Sequence, residues 1–101
     1  MTLADLTRVD FEIHLHGVFQ VEAEGYGTLT LELVEAIDLG VGTAKPDGRQ
    51  PFSLIFRGPS EPVLAQQVCR LTHHVMGGLD LFIVPLGPDG SGGTRYEAVF
   101  A

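Results

Sequence analysis

Residues 28–38 read Thr28-Leu-Thr-Leu-Glu-Leu-Val-Glu-Ala-Ile-Asp38, and their polarity alternates from one residue to the next. Leucines occupy positions 29, 31 and 33, whereas Thr30 and Glu32 lie between them. An apolar residue at every second position is typical of a β-strand with one buried and one solvated face. The alternation ends around Val34–Ile37, which indicates a β-bulge that exchanges the two faces.

Similar segments on both sides of this strand predict a sheet. They lie at residues 18–23, 52–57, 65–73, 79–86 and 95–100. Most connections are too short for the crossovers that parallel strands need. We therefore predict a mainly β fold, with about six antiparallel strands that form a barrel or a tight sandwich. Pro85 is expected to end the pairing of its strand, because proline has no backbone N–H. No internal repeat is evident.

The first sixteen residues contain the helix signal. Thr7-Arg-Val-Asp10 has the form of a capping box with Asp in place of Glu, and Phe11 and Leu15 follow at helical spacing. Thr2-Leu-Ala-Asp5 has the same form one turn earlier. We expect a short helical segment within residues 1–16 that covers one end of a sheet formed by residues 17–101. A chain of 101 residues has room for a single domain.

The net charge of −7 is concentrated in the first part of the chain. Residues 1–38 contain eight acidic side chains and one basic side chain, whereas residues 39–101 contain five of each. Because there is no basic cluster, neither nucleic acid nor an anionic membrane surface is an expected partner. The start of the chain has no secretory signal pattern, and Cys69 is the single cysteine, so the cytoplasm is the predicted compartment.

Histidines are the candidate metal ligands, and His14, His16 and His73 are the weak candidates. An extended His14-Leu-His16 would place two imidazoles on one side, and His73 could complete a cupin-like site. A cupin site needs a Glu a few residues later, but Glu22 is too far along the chain. In a helix the first two histidines would point apart. We expect no metal and no cofactor, and a structural His73 bonded to the backbone where a strand ends.

Catalytic residues are not predicted. Cys69 lies in the middle of a predicted strand, where a thiol is usually a small core residue, and the serines lack a nucleophile elbow. The glycine-rich segments 39–51 and 87–94 lack the spacing of phosphate or calcium loops. They could instead form the rim of a small-ligand site at the mouth of a barrel.

Three segments resemble a family of short bacterial proteins of unknown function. They are residues 10–19, Pro51-Phe-Ser-Leu-Ile-Phe-Arg-Gly-Pro59 and residues 73–100. The pieces Phe-Ser-Leu-x-Phe-x-Gly-Pro and Phe-x-Val-Pro-x-Gly are the most specific. The resemblance implies a stand-alone domain with no assigned activity, which in some members lies in phage-tail-like gene neighbourhoods. It also implies a small residue such as Gly at the position of His16.

The residues that carry this resemblance are mostly apolar residues, prolines and glycines, which build cores and turns, whereas an enzyme family shows a polar constellation. We therefore predict a non-catalytic interaction or assembly module whose partner is another protein, often a second copy. The strands at 52–56 and 79–86 carry few charges and need cover. A small-ligand-binding β-barrel is the alternative, and a metal-dependent cupin-like enzyme is the weaker one. The residues predicted to be structural are Phe52, Phe56, His73, Phe82 and Phe100.

Overall fold

A computed structural model describes residues 5–40 and 50–100 of the chain. They form a closed six-stranded antiparallel barrel with one short helix, which confirms the predicted fold class. The elements are α1 (Arg8–Glu12), β1 (Val18–Ala23), β2 (Gly27–Asp38), β3 (Phe52–Pro59), β4 (Gln67–His73), β5 (Gly77–Pro88) and β6 (Gly93–Phe100). Around the barrel the order is β1-β2-β3-β6-β5-β4. The predicted turn at Thr2-Leu-Ala-Asp5 and the predicted loop 39–51 lie largely outside the described residues.

The barrel consists of two three-stranded halves with the same plan. Strands β1, β2 and β3 have 6, 12 and 8 residues, and β4, β5 and β6 have 7, 12 and 8. In each half a short turn ends at a glycine with positive φ, 80° at Gly27 and 77° at Gly77. The long strands β2 and β5 therefore correspond at a shift of 50 residues, and they lie opposite each other in the barrel order. The two halves therefore share a strand plan, although no repeat is evident in the sequence.

The two halves meet along two edges of unequal length. Strands β3 and β6 pair over eight residues, from Phe52↔Phe100 to Pro59↔Gly93. Strands β1 and β4 pair only at Gln20↔Thr72 and Val21↔Leu71. We call this short junction between β1 and β4 the seam, and it is the place where the barrel closes.

Side chains fill the inside of the barrel. The alternation of β2 places Leu31 and Leu33 in the core, and the buried members of the other strands surround them. Phe52, Phe56 and Phe100 are all buried, and the rings of Phe52 and Phe100 stack with centroids 4.5 Å apart. The apolar core thus occupies the space that a ligand would use in an open barrel.

Two irregularities shape the long strands. The register of β2 shifts between Leu33 and Glu35, and Ala36 then packs against the core, so the predicted face-exchanging bulge is confirmed. Strand β5 continues through Pro85, which lies opposite Tyr96 of β6. The prediction that Pro85 ends the pairing is wrong, because successive residues of an antiparallel strand direct their N–H positions to opposite neighbours. The nitrogen of Pro85 points to the side of β4. The first residue of β4, Gln67, pairs with Ile83, so no residue of β4 lies opposite Pro85.

The helix closes one end of the barrel. The N–H of Thr7 donates to Oδ2 of Asp10 at 2.8 Å, as the capping box predicts. Phe11 is completely buried, and its ring centroid lies 5.9 Å from that of Phe52 and 5.4 Å from that of Phe100. Residues 13–16 form turns rather than a continuation of α1, so among the described residues the helix covers only part of the predicted segment 1–16. In the described ranges, no helix is long and apolar enough to cross a membrane.

The segment between β3 and β4 closes the opposite end. Leu64 is buried there, and its backbone N–H donates to the hydroxyl oxygen of Tyr96 at 2.9 Å. Tyr96 itself points into the core. This bond lets a phenol lie in an apolar interior with its polar atom satisfied.

Candidate interaction surface

Three histidines meet at the helix end of the barrel. His73 ends β4, is only 2% exposed, and its ring centroid lies 4.6 Å from those of both His14 and His74. Its Nδ1 accepts hydrogen bonds from the backbone N–H groups of Val75 at 3.0 Å and Met76 at 3.2 Å. An accepting Nδ1 requires the neutral ring. His73 therefore holds the turn between β4 and β5, which is the structural role that the sequence predicts for it.

The electrostatic surroundings of His73 agree with a neutral ring. Burial lowers its pKa from the ordinary value of 6.5, and the neighbouring His14 and His74 lower it further. Gly17 permits this packing, because a Cβ there would lie 2.8 Å from the carbonyl oxygen of His14 and 3.3 Å from Nε2 of His73.

His16 lies apart from this cluster. Its Nδ1 is 3.1 Å from Oε2 of Glu32, and its side chain is exposed. Its φ of 69° is left-handed, which gives a physical reason for the small residue expected there. The structure thus brings His14 and His73 together but leaves His16 out. Within residues 5–40 and 50–100, no group of three or more His, Cys, Asp or Glu side chains could hold a metal ion.

An apolar surface lies on the outside of β4 and β5. Val68 and Phe82 are directly opposite in the register of these strands, and they are 64% and 49% exposed. Val84 follows two residues later on the same side of β5, and Leu86 is exposed at the irregularity that follows. We call these four residues the β4–β5 face. The structural role predicted for Phe82 is therefore wrong, because its side chain lies outside the core.

The charges beside the β4–β5 face neutralise each other. Arg70 and Asp80 form two hydrogen bonds of 3.0 Å, and the bond from Arg70 lowers the pKa of Asp80. The outer surface of β1 and β2 differs, since it carries Glu22, Glu32 and Glu35. Because β2 lies opposite β5 in the barrel order, the apolar face and the acidic face point in different directions.

Strand β3 shows how an apolar strand can be covered by its own chain. Ile55 points outward but is only 3% exposed. Arg95 of β6 reaches across β3 to Glu35 of β2, with 3.1 Å between Nη2 and Oε1. Beside it, the hydroxyl of Ser53 donates to Oε2 of Glu97 at 2.6 Å. Of the two strands predicted to need cover, β3 has it and the exposed Phe82 of β5 does not.

Comparison with protein families assigns the whole barrel to one group. A family model described as a domain of unknown function (DUF6916) matches residues 6–100. The chain belongs to the DUF6916 family. This agrees with the predicted resemblance to a family without an assigned function. No curated protein and no solved structure shows significant similarity to the chain.

The rim predicted at residues 87–94 of this DUF6916 domain is a short loop between β5 and β6. Oδ1 of Asp89 accepts the backbone N–H groups of Ser91 at 2.8 Å and Gly93 at 2.9 Å. Arg57 also donates to its carboxylate. These bonds hold the pKa of Asp89 well below its usual range, the backbone N–H groups most strongly. The polar groups of Asp89 therefore serve the structure of the loop.

A signal for the exposed position of Phe82 is present in the DUF6916 sequence but is easily missed. The run Leu81-Phe-Ile-Val84 is apolar throughout, so its own pattern does not say which side is buried. A shift of 50 residues aligns Gly27 with Gly77 and Glu32 with Phe82. An outward glutamate at the corresponding position places the phenylalanine on the outside.

Proposed function

We propose that this DUF6916 domain is a non-catalytic protein-interaction module that pairs with a second copy of itself through the β4–β5 face. The observation that carries the proposal is the half-exposed Phe82 beside the more exposed Val68. Aromatic side chains surrounded by apolar neighbours are the usual anchors of protein interfaces. Apolar patches on the surface of a soluble domain commonly mark such contacts.

The charge distribution favours a second copy as the partner. Two chains that each carry a net charge of −7 repel each other unless their acidic surfaces stay apart. Contact through the β4–β5 face leaves β2 and its glutamates on the outer side of each copy. The Arg70–Asp80 pair adds no net charge to the contact. A larger assembly, such as a phage-tail-like structure, would use the same neutral face.

The other hypotheses have less support. A ligand-binding barrel needs an open interior, whereas side chains fill this one and both ends are closed by residues such as Phe11 and Leu64. An enzyme needs a reactive group, whereas His73 is bound to backbone and burial raises the pKa of the Cys69 thiol. The chain has a single cysteine, Cys69, and so no internal disulfide, which is the basis for proposing the cytoplasm as its compartment.

Replacing Phe82 by Ser tests the proposal. The parent protein should be a dimer by light scattering at high concentration, and Phe82→Ser should be a monomer with nearly unchanged thermal stability. Tyr26→Ser is the matched control, because Tyr26 is an aromatic residue that is 68% exposed in the turn of the acidic half. It should leave the dimer intact. A parent that stays monomeric, or equal loss of the dimer in both variants, would overturn the proposal.

A further inference from the structure

The seam between β1 and β4 leaves a cavity in the wall of the barrel. Pairing stops after Val21↔Leu71, and β1 ends two residues later at Ala23. A space of about 360 Å³ lies there, and its walls include Glu22 of β1 and Gln67, Val68 and Cys69 of β4. Both walls are strand edges, so the cavity offers backbone groups as well as side chains.

The register shows which backbone groups face the seam. The N–H of Leu33 in β2 donates to the carbonyl of Gly17, the residue just before β1. Because backbone groups alternate in direction along a strand, the odd-numbered residues of β1 direct their N–H and C=O groups to β2, and the even-numbered residues direct theirs to β4. Gln20 therefore faces Thr72, and the same alternation directs the backbone of Val68 toward the seam. Val68 lies beyond the last pair. In the part of the chain that the structure describes, no strand lies opposite its N–H and C=O on this side.

The bounds of the strands leave this edge open. Strand β1 ends at Ala23, whereas β4 begins at Gln67 and pairs with β1 only at Leu71 and Thr72. The bond between the N–H of Leu64 and the hydroxyl of Tyr96 ties the segment before β4 to β6. Natural edges are usually protected by Pro or Lys, but residues 67–69 include neither. The seam is therefore an accessible edge held in place by the core.

The charge at the seam selects the kind of strand that would fit. The carboxylate of Glu22 accepts a bond from the hydroxyl of Thr28, and within the described residues it has no cationic partner. Arg70 on the opposite wall is already paired with Asp80. A lysine or arginine beside Glu22 would supply the missing positive charge. A second copy is a poor occupant, since its described strands belong to its own barrel.

We propose that the seam binds an extended segment of a different protein, which adds to β4 as an extra strand. The segment presents an apolar residue opposite Val68 and a lysine or arginine two positions away, near Glu22. The backbone of Val68 supplies hydrogen bonds, and the two side chains supply specificity, as in other cases of strand addition. This inference goes beyond self-association and does not depend on it.

The test uses a synthetic peptide of about nine residues with alternating Val and Thr and one central Lys. Titration into labelled protein, followed by the backbone amide resonances, should shift Glu22, Val68 and Arg70 most strongly. The same peptide with Glu in place of Lys should bind at least about tenfold more weakly. A peptide N-methylated on the pairing face should not bind, because it cannot form the backbone bonds.

A protein variant checks the charge. Glu22→Gln should bind the Lys and Glu peptides about equally, whereas Glu32→Gln, the same change on β2, should keep the preference for Lys. Running both titrations in Phe82→Ser separates this result from the proposed dimer. The proposal is overturned if the peptides cause no shifts near saturation, if the shifts lie outside the seam, or if the N-methylated peptide binds as well.

Discussion

The two halves of the barrel share an interior and differ on the outside. At the shift of 50 residues, Leu31 of β2 corresponds to Leu81 of β5, and both are buried. The next residue is Glu32 in the first half and Phe82 in the second, and both point outward. Packing requirements thus apply equally to both halves, whereas the outer positions are free to differ. In the proposed function, the second half supplies the interacting surface and the first half carries the acidic surface.

The largest effect is expected in the shared interior. Leu31→Ala and Leu81→Ala should each cost about 2–5 kcal/mol of unfolding free energy, because each leaves a cavity in a filled barrel. Denaturant unfolding of the two variants measures this directly. Losses of similar size would confirm that the halves are equivalent inside. A loss of stability near zero for one of the two variants would contradict the equivalence of the two buried positions.

The next effect concerns the outer positions. Glu32→Phe gives the first half the residue of the second, so the barrel would carry apolar surfaces on two opposite sides. A subunit with two such contacts can form open chains rather than closed pairs. Light scattering should therefore show species larger than the parent. Glu32→Gln removes the same charge without adding an apolar ring, and it should not form them.

A smaller effect is expected from acid. His73 stands where the first half has Ala23, and its pKa in the folded protein lies below 6.5. Above pH 6.5 both the folded and unfolded states are neutral at this ring, and its contribution to stability is complete. As the pH falls below that value, the unfolded chain takes up a proton that the folded state resists, so stability decreases.

Denaturant unfolding between about pH 7 and pH 5 measures this effect. His73→Asn keeps an acceptor for the turn but does not titrate, and it should show a weaker dependence on pH than the parent. His14 and His74 remain in both proteins. A parent whose stability does not decrease on acidification would contradict the buried, neutral His73.

The smallest effect is expected from salt. Association through the apolar β4–β5 face should change little between about 0.05 and 1 M NaCl, because apolar contacts are not screened. Contact through the acidic half would instead strengthen as salt screened the repulsion. Sedimentation at several salt concentrations distinguishes these cases. Association that strengthens markedly with salt would place the contact on the acidic half and contradict the proposal.

Local pattern predicts much of the fold. The alternation in β2, the bulge near Val34 and the Thr7–Asp10 capping box all follow from residues close in sequence. Pro85 shows the limit of such reasoning, since a missing N–H matters only on the side where a partner strand lies. The choice between a barrel and a sandwich depends on the seam, where Val21 meets Leu71, and no local pattern encodes that pairing.

The candidate surface was harder to predict for a related reason. The local pattern of 79–86 indicates that the strand needs cover but does not indicate which of its sides lies outward. Likewise, the spacing of His14 and His73 does not reveal that their rings meet. Both facts depend on how distant segments come together. Correspondence between the two halves would have supplied the first of them, through Glu32.

The short pairing at the seam has a consequence for how the chain folds. Within each half, neighbouring strands are also neighbours in sequence, so each half can form from local contacts. Joining β1 to β4 brings together residues 50 and 52 positions apart, and only two residue pairs offset the entropy lost in closing that loop. The eight residue pairs between β3 and β6 offset the entropy of their own loop closure far better. Amide hydrogens of β1 and β4 should consequently exchange with solvent before those of β3. The barrel would then open locally at the seam while the pairing between β3 and β6 stays intact.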